Sequence, residues 1–276
     1  MEALKAVRDW PVQRAAAAVV DAGGVVGSVG PVAEPFALAS VTKPLTALAC
    51  LVAVEEGALD LDEAVGTYSG ITVRHLLAHA SGLAPEEPVP VAKPGARRIY
   101  SNAGFDVLGR HVEQATGLGF GDYLRQAVVD PLGLTATTLD GSPASEAWGS
   151  VADLAVVAHL LLAGGVLLHP DTLAAATSVQ FPGLSGVLPG FGRQAHNDWG
   201  LGFEIRDAKS PHWTGSGNSP ATYGHFGRTG TILWVDPAAG LACIALTDRE
   251  FGEWAMQAWP ALSDSVLRER GAGART

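Results

Sequence analysis

SVTKPLTALACLVAVEEG, the stretch from Ser40 to Gly57, decides how this chain is read. From Pro44 to Glu56 it is apolar on most sides and stops at Gly57. That is the pattern of a buried helix with a glycine just past its last turn. Ser40 follows the apolar run Phe36 to Ala39 and opens this helix, with Pro44 tolerated in the first turn. Residues three apart share a helix face, so Lys43 is predicted one turn from the Ser40 hydroxyl. A desolvated lysine there loses its proton and acts as base for a serine nucleophile. The helix N-terminus also offers free N–H groups to a developing oxyanion. The same residues equally describe an N-cap serine followed by a surface lysine, so the rest of the chain has to decide.

Composition sets the class. The chain has 276 residues, 47% hydrophobic and 17% charged. It is too apolar to be disordered and long enough to bury a sizeable core in one large domain or two lobes. The net charge is −10 with only four lysines, so no basic stripe is available for nucleic acid or an anionic membrane. The acid excess reads as a solubility feature. The most apolar stretch, Val151 to Leu168, is interrupted by Asp153 and His159, so no membrane span is predicted. The first apolar run, Ala15 to Val20, is too short for a secretory leader, and a cytoplasmic protein is the expectation. Cys50 and Cys243 each lie in an apolar run and read as small buried thiols, compatible with a reducing compartment.

Along the chain, a helix around Glu2 to Arg8 and two short strands, Ala18 to Val26 and Phe36 to Ala39, are predicted before Ser40. Helices follow at Val73 to His79, Ala103 to Thr116, Asp122 to Val129 (ended by Pro131) and from a capping box at Ser150 and Asp153 to Ala163. Beyond Phe181 the chain is rich in Gly, Pro and Ser. Strands are predicted at Leu201 to Ile205, Thr231 to Val235 and Leu241 to Leu246, the last two joined by a turn at Asp236 to Gly240. A helix kinked at Pro260 covers Glu253 to Arg268, and Gly271 to Thr276 is expected to fray. Strands at both ends with helices between imply a sheet built from both termini with a helical lobe inserted.

No serine is flanked by glycines at −2 and +2, and no phosphate-binding glycine fingerprint or HExxH is present. His75 and His79, four apart, lack a third ligand and read as structural, so no metal or cofactor is predicted. Tyr100-Ser101-Asn102 precedes the Ala103 helix. A phenol beside an ammonium can shuttle protons, and an asparagine amide can bond a substrate carbonyl, unless Tyr100 merely packs and Asn102 caps the helix. His225-Phe226-Gly227 precedes the Thr231 strand, and its glycine allows close backbone approach to a substrate. Trp199, Trp213 and Trp234 lie near this last motif and read as packing residues.

Taken together and in this order, Ser-x-x-Lys, Tyr-x-Asn and a late His-x-Gly resemble the penicillin-recognising serine hydrolases, in the branch of class C β-lactamases, D-alanyl-D-alanine peptidases and related esterases. Stretches such as ITVRHLLAHASGL (71–83), PGARRIYSNAGFDVLGRHVEQATG (94–117) and GHFGRTGTILWVDPAAGLACIALTDR (224–249) carry the resemblance over roughly residues 15–260. It implies an α+β, β-lactamase/transpeptidase-like fold: an antiparallel sheet built from both termini and flanked by helices, with an inserted helical lobe. The chain is then a single domain, with an α/β lobe of about 1–39 and 190–276 and a helical lobe of about 40–189. The resemblance further implies that Ser40 is the acyl-accepting nucleophile, that Lys43 and Tyr100 move protons, and that Asn102 orients the substrate carbonyl. The N–H groups of Ser40 and Arg228 would form the oxyanion hole, with His225 and Gly227 lining the site.

Three departures bear on the substrate. His225 stands where the β-lactamase pattern has lysine, and a mostly neutral imidazole suits a substrate carboxylate less well, although Arg228 can supply charge. No export signal is visible, and the chain is compact for the branch. These favour a hydrolase of small carboxylic esters or amides, acting on a small-molecule substrate without nucleic acid or membrane. A β-lactamase or D-alanyl-D-alanine peptidase, an acyltransferase, and a non-catalytic binding module on the same fold are the alternatives.

Overall fold

The computed structural model describes residues 1–273. Six strands form the main sheet: Ala15–Asp21 (β1), Gly24–Val29 (β2), Glu204–Ile205 (β3), Tyr223–Gly227 (β4), Thr231–Asp236 (β5) and Leu241–Thr247 (β6). Their order is β2-β1-β6-β5-β4-β3, and every neighbouring pair is antiparallel. The first and last strands in sequence pair centrally, with Val19 opposite Cys243. The architecture is the α+β fold expected, with a sheet joining the two ends of the chain.

Both faces of this sheet are covered, which is why β1, β5 and β6 read as continuous apolar runs rather than alternating ones. Ala16, Ala18, Val20, Leu233, Val235 and Ile244 face the larger core, against the helices Thr42–Glu55 (α1), Asn102–Thr116 (α2) and Val151–Ala163 (α3). Ala17, Val19, Ile232, Trp234, Cys243 and Ala245 face a second core. That one is closed by the N-terminal 3-10 helix Ala3–Asp9 and the C-terminal helix Glu253–Gly273 (α4), through Leu4, Val7, Trp259 and Leu262. Cys50 and Cys243 therefore lie in different cores on opposite faces of the sheet, both buried and both free thiols. Helix α1 is buried at every position from Thr42 to Leu51, as its all-round apolar sequence demands.

The structure corrects several boundaries. Ala18 to Val26 is a hairpin rather than one strand, because the chain reverses at Ala22-Gly23 and Gly24 adopts φ +114. Phe36–Ala37 leaves the main sheet and pairs with Ala147–Gly149, which also pairs with Thr138–Leu139. Pro131 does not end its helix. A π turn over Arg125–Val129 widens the backbone ahead of it, and the helix continues to Leu132 before Gly133 turns left-handed. Ser150 caps α3 through the Asp153 N–H, but the Asp153 carboxylate reaches Thr135, Ala136 and Thr137 instead of completing a capping box. Helix α4 runs through Pro260 to Gly273, so Gly271–Gly273 are helical; residues 274–276 of the expected frayed tail lie outside the described residues. Among the described residues, no helix is long and apolar enough to cross a membrane.

Candidate active site

Ser40 sits in a 3-10 turn, Ala39–Val41, wedged between the small sheet and α1, which begins at Thr42 rather than at the serine. Ala39 has φ +47, an uncommon conformation for a residue with a side chain, held because the segment is tied down on both sides. Leu38 N–H donates to Ala147 O at 2.9 Å. From the main sheet, the Thr229 hydroxyl donates to Ala37 O at 2.7 Å and the Thr231 hydroxyl to Leu38 O at 2.8 Å.

Lys43, on the first turn of α1, is completely buried. Its Nζ lies 2.7 Å from the Tyr100 hydroxyl, 2.7 Å from Asn102 Oδ1 and 2.9 Å from Ala144 O. No hydrogen bond joins Lys43 to Ser40 among the described residues. The predicted direct pair is bridged by Tyr100, whose hydroxyl is 2.7 Å from Ser40 Oγ. Ser40 belongs to the 3-10 turn that runs directly into the helix, so it remains one turn from Lys43. Burial pushes the Lys43 ammonium down to about 7, against the opposing pull of Asp106 and Glu86. Burial also pushes the Tyr100 phenol above its ordinary range, with the Ser40 hydrogen bond opposing. Both groups thus favour their neutral forms, as isolated charges in a dry site must.

Asn102 is the first residue of α2, and the cap is Ser101, whose hydroxyl accepts from Gly104 N–H. That frees the Asn102 side chain: its oxygen accepts from Lys43 and its nitrogen donates to both Glu86 oxygens at 3.0 and 3.1 Å. Glu86 lies in an aperiodic loop with no sequence signal to mark it.

The third motif is itself a strand, β4, at the far side of the cleft. His225 Nδ1 donates to Phe226 O at 2.7 Å, and burial, with Lys43 adding to it, lowers the ring to about 3. It is therefore a neutral group. Gly227 is required by a close approach: a Cβ there would meet Thr231 Oγ1 at 2.3 Å and Leu38 O at 2.5 Å. Arg228 is exposed, with no side-chain partner among the described residues. The backbone N–H groups of Ser40 and Arg228 likewise donate to no other group there.

The cleft encloses about 520 Å³, with Ser40, Tyr100, Trp199, His225, Phe226 and Arg228 among its lining, a size suited to a small molecule. Of the three tryptophans read as packing residues, Trp199 lines the cleft while Trp213 and Trp234 belong to the second core. Glu204 also borders the cleft. Burial would raise its carboxyl, but Lys209 and His212 bring it down to about 2, and Trp213 Nε1 donates to it at 3.0 Å. Its charge is spent on that buried cluster.

A serine, a buried lysine and a tyrosine linked beside an antiparallel sheet flanked by helices define the β-lactamase/transpeptidase class of serine hydrolase folds. The sequence profile of the β-lactamase family matches residues 11–267, and the chain belongs to that family. The crystal structure of a β-lactamase from Mycobacterium bovis is similar at 55% identity and a TM-score of 0.95, over 97% of this chain and 99% of that one. Penicillin-binding protein 4* of Bacillus subtilis is 29% identical over 134 residues, 37% of this chain and 30% of the relative. Monacolin J acid methylbutanoyltransferase of Aspergillus terreus is 32% identical over 156 residues, 38% of each chain. The chain spans about a third of the length of these two curated relatives.

Proposed function

We propose that the protein is a serine hydrolase that cleaves small carboxylic esters through an acyl-enzyme on Ser40. The observation that carries this reading is the hydrogen-bonded chain Ser40–Tyr100–Lys43, running from the cleft to a buried lysine, with two links of 2.7 Å and the lysine brought down to about 7. When Lys43 is neutral, its two N–H bonds point to Asn102 Oδ1 and Ala144 O, which only accept, and its lone pair is left for the Tyr100 hydroxyl. The phenol then donates to Lys43 and accepts from Ser40. The Ser40 proton passes to Tyr100 as the Tyr100 proton passes to Lys43, and Oγ attacks the ester carbonyl carbon. The oxyanion is met by the Ser40 and Arg228 N–H groups. Collapse breaks the bond to the alcohol oxygen, which takes a proton back from Lys43 through Tyr100. Water then attacks the acyl carbon with the same relay accepting its proton, and the acid leaves as Ser40 is restored.

The neutral His225 supports an uncharged ester over a substrate with a carboxylate to be bound on β4. Asn102 meets substrate in this reading only by exchanging Glu86 for the substrate carbonyl. The reaction is assigned to the cytoplasm, where two buried free thiols are stable. A second reading, a β-lactamase or D-alanyl-D-alanine peptidase, is favoured by the exposed Arg228 guanidinium at the cleft and by the similarity to the Mycobacterium bovis β-lactamase. An acyltransferase is favoured by the Aspergillus terreus relative. A pure binding module has no use for a desolvated lysine beside a serine.

The test pairs wild type with Ser40→Ala on short-chain p-nitrophenyl esters and a chromogenic cephalosporin, with intact-mass detection of a Ser40 adduct. Ester turnover lost in the variant, with negligible cephalosporin turnover, supports the esterase. Dominant cephalosporin turnover selects the second reading. Product partitioning to added alcohols identifies a transferase. No turnover and no adduct defeats all three.

A further inference from the structure

His79 belongs to the LLAHASGL stretch and takes no part in the relay above. It is 1% exposed and has φ +52, the left-handed region. This conformation turns both its carbonyl and its ring toward one neighbouring segment. Ile99 N–H donates to His79 O at 3.0 Å, and Ser101 N–H donates to His79 Nδ1 at 3.1 Å. These two amides flank Tyr100. The imidazole itself lies against the Tyr100 ring, with centroids 4.5 Å apart, and its other neighbours are Trp199 and Phe105. Arg98, also buried, fixes the preceding peptide by donating to Ala78 O at 2.5 Å and to Asn197 O at 3.0 Å.

The ring is neutral, because burial, with Lys43, His225 and Arg98 nearby, holds it well below the ordinary imidazole range. Since Nδ1 accepts, the proton is on Nε2. Tyr100 itself stands between a loop and the first turn of α2, outside any helix or strand. Its phenol must nevertheless stay within hydrogen-bond reach of two partners at once, and a displacement of 1 Å costs about a hundredfold in rate.

We infer that His79 is the positioning residue for Tyr100, gripping the backbone on both sides of the tyrosine and one side of its ring so that the phenol spans Ser40 and Lys43. The inference rests on the proposed role of Tyr100, and the test separates the two. His79→Asn places a carboxamide oxygen where Nδ1 stands and tolerates the left-handed backbone; His79→Gln places its polar end where Nε2 stands. With a p-nitrophenyl ester, His79→Ala lowers kcat by about 10- to 100-fold with KM within about twofold, and His79→Asn recovers more of kcat than His79→Gln. Combined with Tyr100→Phe, His79→Ala adds little, since the group it positions is gone. If His79→Ala does not fold, the Asn and Gln pair decides alone. Gln equal to or better than Asn, unchanged kcat in His79→Ala, or a full additive loss in the double variant overturns the inference. A Tyr100→Phe enzyme with wild-type kcat instead overturns the proposed relay, whatever the His79 variants do.

Discussion

The buried Lys43 Nζ and the hydroxyl of Tyr100, which lines the cleft, lie 2.7 Å apart, and the phenol passes the contact on to Ser40 at the same distance. The lysine's other two partners, a carboxamide oxygen and a backbone carbonyl, only accept. Its protonation state therefore sets the direction of the whole chain: a charged Lys43 donates to all three oxygens, and a neutral one receives from Tyr100.

This fixes the pH dependence. In the proposed relay the neutral amine is the competent form, so ester kcat/KM is expected to fall about tenfold per pH unit below about 7 and to level above it. Glu86→Gln keeps a hydrogen-bond acceptor for Asn102 but removes a charge that raises the Lys43 pKa, so the acid limb moves to lower pH. A limb that stays in place or moves up contradicts the assignment of the limb to Lys43.

The same group shapes stability. Lys43 titrates at about 7 when folded and near 10.5 when unfolded, so between these values the unfolded chain holds more protons and stability rises with pH. Lys43→Met removes the net cost of placing the charge there, on the order of 5 kcal/mol from the size of the shift, and is expected to melt higher than wild type. The gain should be larger at pH 7 than at pH 10. His225 acts in the acid range with the same sign: folded at about 3 and unfolded near 6.5, it makes stability fall as pH drops through that window. Thermal melts across pH 4 to 10 check both windows.

In the proposed relay, removing the bridging phenol leaves Ser40 and Lys43 without a proton path. Tyr100→Phe is expected to lower kcat by about 10²- to 10⁴-fold with KM little changed, and to slow fluorophosphonate labelling of Ser40 in parallel. Rapid labelling in this variant would mean that the serine is activated by another route.

Thr229 and Thr231 tie the Ser40 turn to the β4–β5 hairpin, and so tie together the two N–H groups assigned to the oxyanion. Thr231→Val, isosteric but without the hydroxyl, is expected to cost about tenfold in kcat, with Thr231→Ser restoring most of it. Gly227→Ala drives a methyl into Leu38 O and Thr231 Oγ1 and is expected to abolish turnover. Steady-state kinetics on soluble variants, with melting curves for folding, decide both.

Arg228 is the test of substrate charge. Arg228→Gln keeps the backbone N–H and removes the guanidinium, so neutral esters are expected to turn over within about threefold of wild type, while any cephalosporin turnover drops by more than about tenfold. An equal loss on both substrates would give the side chain a role independent of substrate charge.

The local and periodic features were legible in the chain. Helix α1 announced itself by a long apolar run and Gly57, α2 by helical spacing and Gly117, and β5 and β6 by apolar runs flanking a turn. The roles of Tyr100 and Asn102 were open from their own residues and came from the resemblance of the motifs. The breaks were less visible. Phe36–Ala37 looked like any short strand, and its defection to a second sheet depends on Ala147–Gly149, more than a hundred residues away. His225-Phe226-Gly227 gave no strand signal, because two glycines and a histidine hide the strand Tyr223–Gly227, whose Gly227 backbone packs against Leu38 O of the nucleophile segment.

By itself, then, the sequence determined the fold family, the buried helix behind Ser40 and the residue types able to move a proton, since these follow from periodicity, volume and side-chain chemistry. Tertiary structure decided who touches whom. It placed Tyr100 between Ser40 and Lys43, occupied the Asn102 amide with Glu86, spent Glu204 on Lys209 and His212, and left the Arg228 side chain exposed. Those outcomes depend on loops and element ends, from 5 to 60 residues apart, meeting at hydrogen-bond distance, where a shift of 1 Å changes the partner and where burial and neighbouring charges set whether a group is charged; no spacing along the chain encodes either.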